Sequence, residues 1–492
     1  MKIKMDYGKE GVFFDIPDNS DILLPNHKKK LSNPKDQIIS SIDNPINSIP
    51  LRSLYKKGMK VGVSVCDHTR AQPRNEIILS LLKIFEGIKK NDLLIFIATG
   101  SHRATTEEEI KEIFDSEVIS NTTIVIHNSE ISSELENLGI TSKKTPVILN
   151  KEWISCDLKI TTGFVEPHFF AGFSGGPKMV APGLAGIDTI MNLHDYDRIN
   201  NKKSSWGIIE GNPIHEEISE ISRILKPDFS IDLTLNRENN ITGIYSGDLF
   251  SEHKIACNEV RKDSMIETKK LYDLVITSNS GYPLDQNLYQ TIKGVSAASQ
   301  ITKPGGYIIA VSQCSDGIPF NSPYEKLLKS VNNPKEYLDH LKNTDELEPD
   351  QWQLQIQAQL QEKNKIFLYS KLNEKDTSNA HLSKVENVEK IIEEISSKVK
   401  NPSICVLPEG PQTIPYKQWM MPINTEKAIK MLSKEGLIKD ISISVFKENK
   451  YIEDFEKFNK GDLFHIFSAG KPFIASVLWK LYERKIIDFD DP

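Results

Sequence analysis

Short apolar runs, each followed by a stretch with helical periodicity, make up most of the chain. The opening KIKMDYGKEGVFFDIP alternates around a Gly-Lys-Glu-Gly turn and predicts a β-hairpin. VGVSVCD (61–67) has the composition of a buried strand, and an amphipathic helix is predicted over 74–89. LLIFIATG (93–100) predicts a second strand, and TEEEIKEIF (106–114) a helix with acids in its first turn. TIVIHN (123–128) and CDLKITTG (156–163) read as further strands. After a polar stretch at 261–272 a second series begins, with strands at 274–280, 307–314, 365–370 and 403–408. Strand–helix alternation of this kind predicts two α/β domains, 1–270 and 271–415, with mainly parallel sheets. Beyond EGPQTIPYKQWMMP (409–422) the pattern changes. A helix near 425–435, two strand-like runs meeting at Glu448–Lys450 and an apolar helix near 471–485 predict a partial α+β segment over 416–492.

Composition narrows the function classes. A chain of 492 residues carries a prior of about three domains. Its 61 Lys and Arg against 68 Asp and Glu give −7, which argues against a broad basic surface for nucleic acid. Cys66, Cys156, Cys257, Cys314 and Cys405 form no CxxC pair, so neither a zinc knuckle nor a disulfide framework is indicated. The N-terminus lacks the apolar stretch of a signal peptide, and no run approaches the ~18 apolar residues of a membrane span. The expectation is a soluble, cytoplasmic protein.

Polar clusters fall at the predicted C-terminal ends of strands, where open α/β sheets bind ligands. Asp67-His68-Thr69-Arg70 follows the first strand and Gly100-Ser101-His102-Arg103 the second. The fourth leads into GFVEPHFFAGFSGGPKMVAPG, with His168, Ser174, Gly175, Gly176 and Lys178, and His194 lies further on. Taken singly, such a histidine caps or packs, and a Gly-Gly-Pro-Lys turn can be a tight loop with a solvated lysine. The chain has neither a P-loop nor a GxGxxG fingerprint. Convergence of three histidines, an arginine and a glycine-flanked lysine on one sheet edge favours a site: glycines admit close backbone approach and the cations supply charge. His68 points away if Asp67 and Thr69 face inward. His215, in a turn opening a helix, reads as structural. His127 stands either in packing or behind the site.

DHTRAQP (67–73), GSHR (100–103), EPHFFAGFSGGPK (166–178) and His194, with DQNLYQTIKG (285–294) and Gln351-Trp352, resemble the nickel-dependent lactate racemase family over about residues 1–415. The resemblance implies an active site between the two domains. It implies nickel held in a pincer nucleotide, pyridinium-3,5-bisthiocarboxylic acid mononucleotide, attached covalently at Lys178. It further implies His194 as the protein ligand to nickel, and His102 and His168 as the acid–base pair on opposite faces of a 2-hydroxy acid. Asp67, Thr69, Ser174, Gly175 and Gly176 would line the cofactor. Arg70, Tyr289, Gln290, Lys293 and Trp352 would line the substrate. Small-molecule substrate and cofactor-maturation enzymes are the implied partners. The chemistry suits these residue types: the α-hydrogen beside an ionised carboxylate is too weakly acidic for a side-chain base, so it leaves as hydride while a histidine takes the hydroxyl proton.

The tail differs. Ser468 and Lys471, in DLFHIFSAGKPFIASVLWKLYERKIIDFDDP (462–492), resemble the N-terminal part of serine β-lactamase-like hydrolases. A serine hydrolase acting through Ser468 and Lys471, and a non-catalytic cofactor-binding homologue, are therefore the alternative readings. Against the second, a binding protein needs no matched pair of bases.

Overall fold

The computed structural model describes residues 1–344, 346–417, 442–447 and 450–456. It divides into two compact units, Met1–Lys417 and Gln418–Pro492. The first unit is α/β, built on two six-stranded sheets.

The first sheet runs in the order Ile241–Gly247, Phe229–Leu235, Leu158–Phe164, Val61–Cys66, Leu93–Ala98, Thr123–Ile126. Only the edge strand Ile241–Gly247 is antiparallel to its neighbour. VGVSVC and LLIFIA form strands because continuous apolar or small residues suit burial on both faces; every residue of Val61–Cys66 is buried. The helix after the first strand, Arg74–Ile84, stops short of residue 89, before Gly87 at φ 76°. Helix Glu107–Ile113 begins in a capping box: Thr106 Oγ1 accepts the Glu109 N–H, and Glu109 Oε2 accepts the Thr106 N–H at 2.8 Å.

The second sheet runs Ser383–Val385, Lys365–Tyr369, Thr302–Val311, Tyr272–Ser278, Ile404–Leu407, Asp21–Ile22, all parallel. Its last member comes from the opening segment of the chain. The predicted hairpin forms, Lys2–Met5 against Val12–Asp15, but Met5, Phe14 and Ile16 pack with Leu274, Ile276 and Val406 of the second sheet. The opening segment therefore belongs to the later half, where its apolar side chains find a core.

Within the second unit, Ser442–Lys447 pairs antiparallel with Lys450–Glu456, the two strand-like runs expected there. The helices expected near 425–435 and 471–485, with Ser468 and Lys471, lie outside the described residues.

Candidate active site

In the first sheet the strands after Val61–Cys66 build outward to one side, Leu93–Ala98 then Thr123–Ile126, before Leu158–Phe164 returns to its other side. Such a reversal is where open α/β sheets bind ligands, and the predicted polar clusters follow the carboxyl ends of these strands.

Asp67 follows the first strand and is buried. Its Oδ2 lies 2.7 Å from His102 Nδ1, and its Oδ1 accepts the Thr69 hydroxyl at 2.7 Å. Burial pushes the carboxyl upward, but the His102 hydrogen bond and charge, the Thr69 hydroxyl and the Arg70 charge outweigh it and hold it at about 2. The loop is shaped from below by Arg74. This buried guanidinium donates to the carbonyls of Cys66 (2.6 Å), Asp67, Arg70 (2.6 Å) and Gln72 (3.1 Å). Arg70 leans on Thr69 Oγ1 at 3.1 Å and pairs with no carboxylate among the described residues. His68 turns outward, as expected, to Glu109 (3.4 Å) and Arg103 (3.2 Å).

His168 sits on the short strand Pro167–His168, paired with Gly172–Phe173. Its Nδ1 accepts the Ala171 N–H at 3.2 Å, which assigns the ring proton to Nε2. Burial, then the charges of Lys178, Lys293, Arg70 and His194, keep it neutral well below the usual histidine range. Phe170 is the pivot of the site: its ring is 4.4 Å from that of His168, 5.2 Å from that of His194 and 5.7 Å from Lys178 Nζ. Lys178 projects from the turn Gly176–Met179, and burial beside Arg70 and Lys293 lowers its amine to about 7. His194 caps helix Ile187–Leu193, with Nδ1 donating to the Ile190 carbonyl at 2.6 Å. Burial holds it neutral, at about 4, so Nε2 carries a lone pair suited to a metal.

The second half contributes two helices. Leu288–Ser299 carries Tyr289, Gln290 and Lys293, whose amine is lowered to about 8 by burial and by Arg70. Gln351–Lys363 places the Trp352 ring 4.7 Å from that of His194, and Gln355 donates to the Tyr196 carbonyl at 2.9 Å. The structure thus brings together His102, His168, Lys178, His194, Arg70, Lys293, Tyr289 and Trp352.

Other predicted residues act locally. Ser174 Oγ bonds the Phe164 carbonyl (2.9 Å) and the Glu166 N–H (2.9 Å), pinning the loop on itself. Gly175 and Gly176 adopt φ 70° and 49°, and the Gly176 N–H goes to Asp232 at 2.8 Å rather than outward. His127 Nε2 meets the Ala185 carbonyl at 2.9 Å, fastening the stretch after Lys178. His215 is buried, its ring stacked 6.0 Å from that of His253. The sequence reading assigned no role to Arg74, Phe170, Asp232 or Asp350. Asp350 Oδ1 accepts from Tyr289 Oη at 3.4 Å. Phe170 stood in the singled-out stretch; the other three had no signal beyond an ordinary polar position.

Three buried or half-buried histidines, Arg70 and two buried lysines gathered beyond the strand ends are the arrangement of an enzyme site. A lactate racemase N-terminal domain model matches residues 7–207, and a lactate racemase C-terminal domain model residues 267–414. The lactate racemase of Lactiplantibacillus plantarum is 34% identical over 389 residues, 78% of this chain and 91% of that protein. That of Thermoanaerobacterium thermosaccharolyticum is 32% identical over 423 residues, 84% of this chain and 98% of that protein. The solved lactate racemase apoprotein from T. thermosaccharolyticum superposes with TM-score 0.79 at 30% identity, covering 85% of this chain and 100% of that one. A Thermotoga maritima protein at 17% identity and TM-score 0.59 shares the fold. The chain belongs to the lactate racemase family and is a racemase, an isomerase by class. No helix among the described residues is long and apolar enough to cross a membrane.

Proposed function

We propose that the protein racemises or epimerises a 2-hydroxy acid, lactate or a related acid, with a nickel pincer nucleotide supplied by maturation enzymes. The observation that carries the reading is the pair His102 and His168, held in complementary tautomers beyond the carboxyl ends of strands of one sheet. The donor set fits the cofactor. Lys178 would hold it covalently through an amine already inclined to be neutral, and His194 would ligate nickel through Nε2. Among the described residues no three His, Cys, Asp or Glu side chains form a metal site, so His194 would be one donor beside those of the nucleotide. When bound, the pyridinium supplies a reversible acceptor for hydride.

The chain's own groups do the rest. Arg70 and Lys293 receive the substrate carboxylate, Arg70 through its planar fork. Tyr289, Gln290 and Trp352 bound the pocket. His102, with its Nδ1 proton committed to Asp67, presents the Nε2 lone pair to a hydroxyl proton. The same His102 nitrogen, then protonated, returns the proton to the nascent alkoxide, while neutral His168 donates a hydrogen bond from its Nε2–H to that oxygen. Burial, with the neighbouring cations, keeps His168 from holding two protons, which suits a hydrogen-bond donor that orients the substrate oxygen and keeps its own proton.

The test is to express the chain with cofactor-making enzymes and follow stereochemical exchange across a panel of 2-hydroxy acids. Intact mass should show an adduct, lost in Lys178→Ala. An adduct that persists in that variant, or no exchange with any acid by loaded protein, would overturn the reading.

A further inference from the structure

Behind the lysine turn lies a buried polar group that the reaction does not use. Asp232 stands in the inner strand Phe229–Leu235, fully buried, opposite Gly163 of the neighbouring strand. A Cβ at Gly163 would come within 2.6 Å of Asp232 Oδ1, so the glycine leaves room for the carboxylate to reach the turn beyond. There Oδ2 accepts two hydrogen bonds, from the Gly176 N–H at 2.8 Å and from His253 Nδ1 at 2.9 Å. His253, on helix Leu249–Ser264, is fixed at its other end, with Nε2 3.3 Å from Cys257 Sγ. A Cβ on Gly176 would meet His253 Cγ at 2.4 Å, and one on Gly175 would meet Oδ2 at 2.9 Å. Both partners thus close directly on the turn. The Lys178 N–H bonds the Gly175 carbonyl at 3.1 Å, so its backbone hangs from that same turn.

We propose that Asp232 and His253 are positioning residues for Lys178, gripping the glycine turn so that its amine is held at one place in the pocket. The proposal rests on the reading of Lys178 as the cofactor tether. A purely structural role accounts poorly for the arrangement. Asp232 Oδ1 is buried with no partner, a costly state for a carboxylate, and well-packed apolar residues join a helix to a sheet at lower cost. What an apolar pair cannot do is hold the Gly176 N–H, and that N–H decides where the following residues point. Groups that orient a ligand residue in this way typically carry about 10–100-fold in affinity or activity.

The experiment compares Asp232→Asn, His253→Leu and His253→Asn in the full chain. An asparagine amide nitrogen reproduces the histidine Nδ1 donor, whereas leucine has similar volume and no donor. After co-expression with cofactor-making enzymes, intact mass gives the fraction carrying the adduct. We expect that fraction to fall about 10-fold in Asp232→Asn and His253→Leu and to be restored in His253→Asn. In cofactor-free protein, hydrogen exchange over 174–179 should quicken in the first two variants and stay slow in His253→Asn. If Asp232→Asn does not fold, the two His253 variants carry the comparison by themselves. Equal behaviour of His253→Leu and His253→Asn, whether both load, both fail or neither folds, overturns the proposal. If the wild-type chain takes no adduct at Lys178, the tether reading falls, and the exchange contrast alone then decides whether the pair positions the turn.

Discussion

His102 and Asp67 form a dyad, with Nδ1 and Oδ2 at 2.7 Å, in which one member is buried and the other is half exposed. The buried carboxylate fixes the imidazole's tautomer and its direction, leaving Nε2 for substrate. Asp67→Asn keeps the shape but permits the wrong tautomer. It should lower kcat by ~10²–10⁴-fold with little change in KM, measured as racemisation by the loaded enzyme. Because Asp67 is held at about 2, below the ordinary ~3.9 of an aspartate, its ionisation favours the folded state above about pH 4. That contribution is lost as pH falls through 2. Acid titration of folding should show it in the wild type and not in Asp67→Asn.

Separate duties for three histidines should show in metal content. His194→Ala should lose nickel, because its Nε2 is the proposed ligand. His102→Ala and His168→Ala should keep nickel but lose turnover by ~10²–10⁴-fold. Metal analysis of loaded proteins decides it, and equal nickel loss in all three would contradict the division.

The Arg70 guanidinium is held only by Thr69 among the described residues. Arg70→Lys retains the charge and removes bidentate geometry, so kcat/KM for a 2-hydroxy acid should fall by roughly 10-fold or more, mostly through KM. A fully active lysine variant would mean that another group holds the carboxylate.

Lys178 is a buried amine beside two other cations in the cofactor-free protein. Its folded-state value of about 7 lies below the ordinary ~10.4, so the unfolded chain binds more protons between those limits. The lysine therefore opposes folding most below pH 7, and the penalty fades as pH rises toward 10. Lys178→Met should raise the Tm of cofactor-free protein at pH 7, and the gain should shrink in alkaline buffer. A lower Tm at pH 7 would show that the amine is stabilised by the fold.

Every site residue described above comes from Met1–Lys417. A chain ending at residue 417 should therefore keep its racemase activity, and Ser468 of the intact protein should not react with a fluorophosphonate probe. Activity assays and labelling, followed by mass spectrometry, test the two halves; stoichiometric labelling at Ser468 would make the tail a working hydrolase element.

The parts of the fold legible in the sequence were those whose burial leaves a pattern. VGVSVC and LLIFIA announce two-faced strands, and the loops after them stand out because His, Arg and Gly cluster where the apolar run ends. Phe229–Leu235 did not announce itself. Its alternation of Phe, Ile and Leu with Ser230, Asp232 and Thr234 imitates a half-exposed strand, although every position but Leu235 is buried. The polar side was needed against the helix Leu249–Ser264 and the lysine turn. Helix Gln351–Lys363 was equally silent beyond Trp352: Gln353, Gln355 and Gln357 are fully buried, their amides spent on the carbonyls of Tyr289, Tyr196 and Ala380. A segment that serves as connective tissue between two bodies has no single apolar face to display.

The pairing of Asp21 and Ile22 with Cys405 and Val406 sets a schedule for the newborn chain. The first strand of the second sheet to leave the ribosome pairs with the last one to follow it. With synthesis at about 5–20 residues per second, roughly 380 residues separate the two events by about 20–80 s. Throughout that interval Met5, Phe14 and Ile16, destined for the second core, lack the strand Ile404–Leu407 that they pack with. The second sheet cannot be completed until Ile404–Leu407 arrives to join it to the waiting terminus.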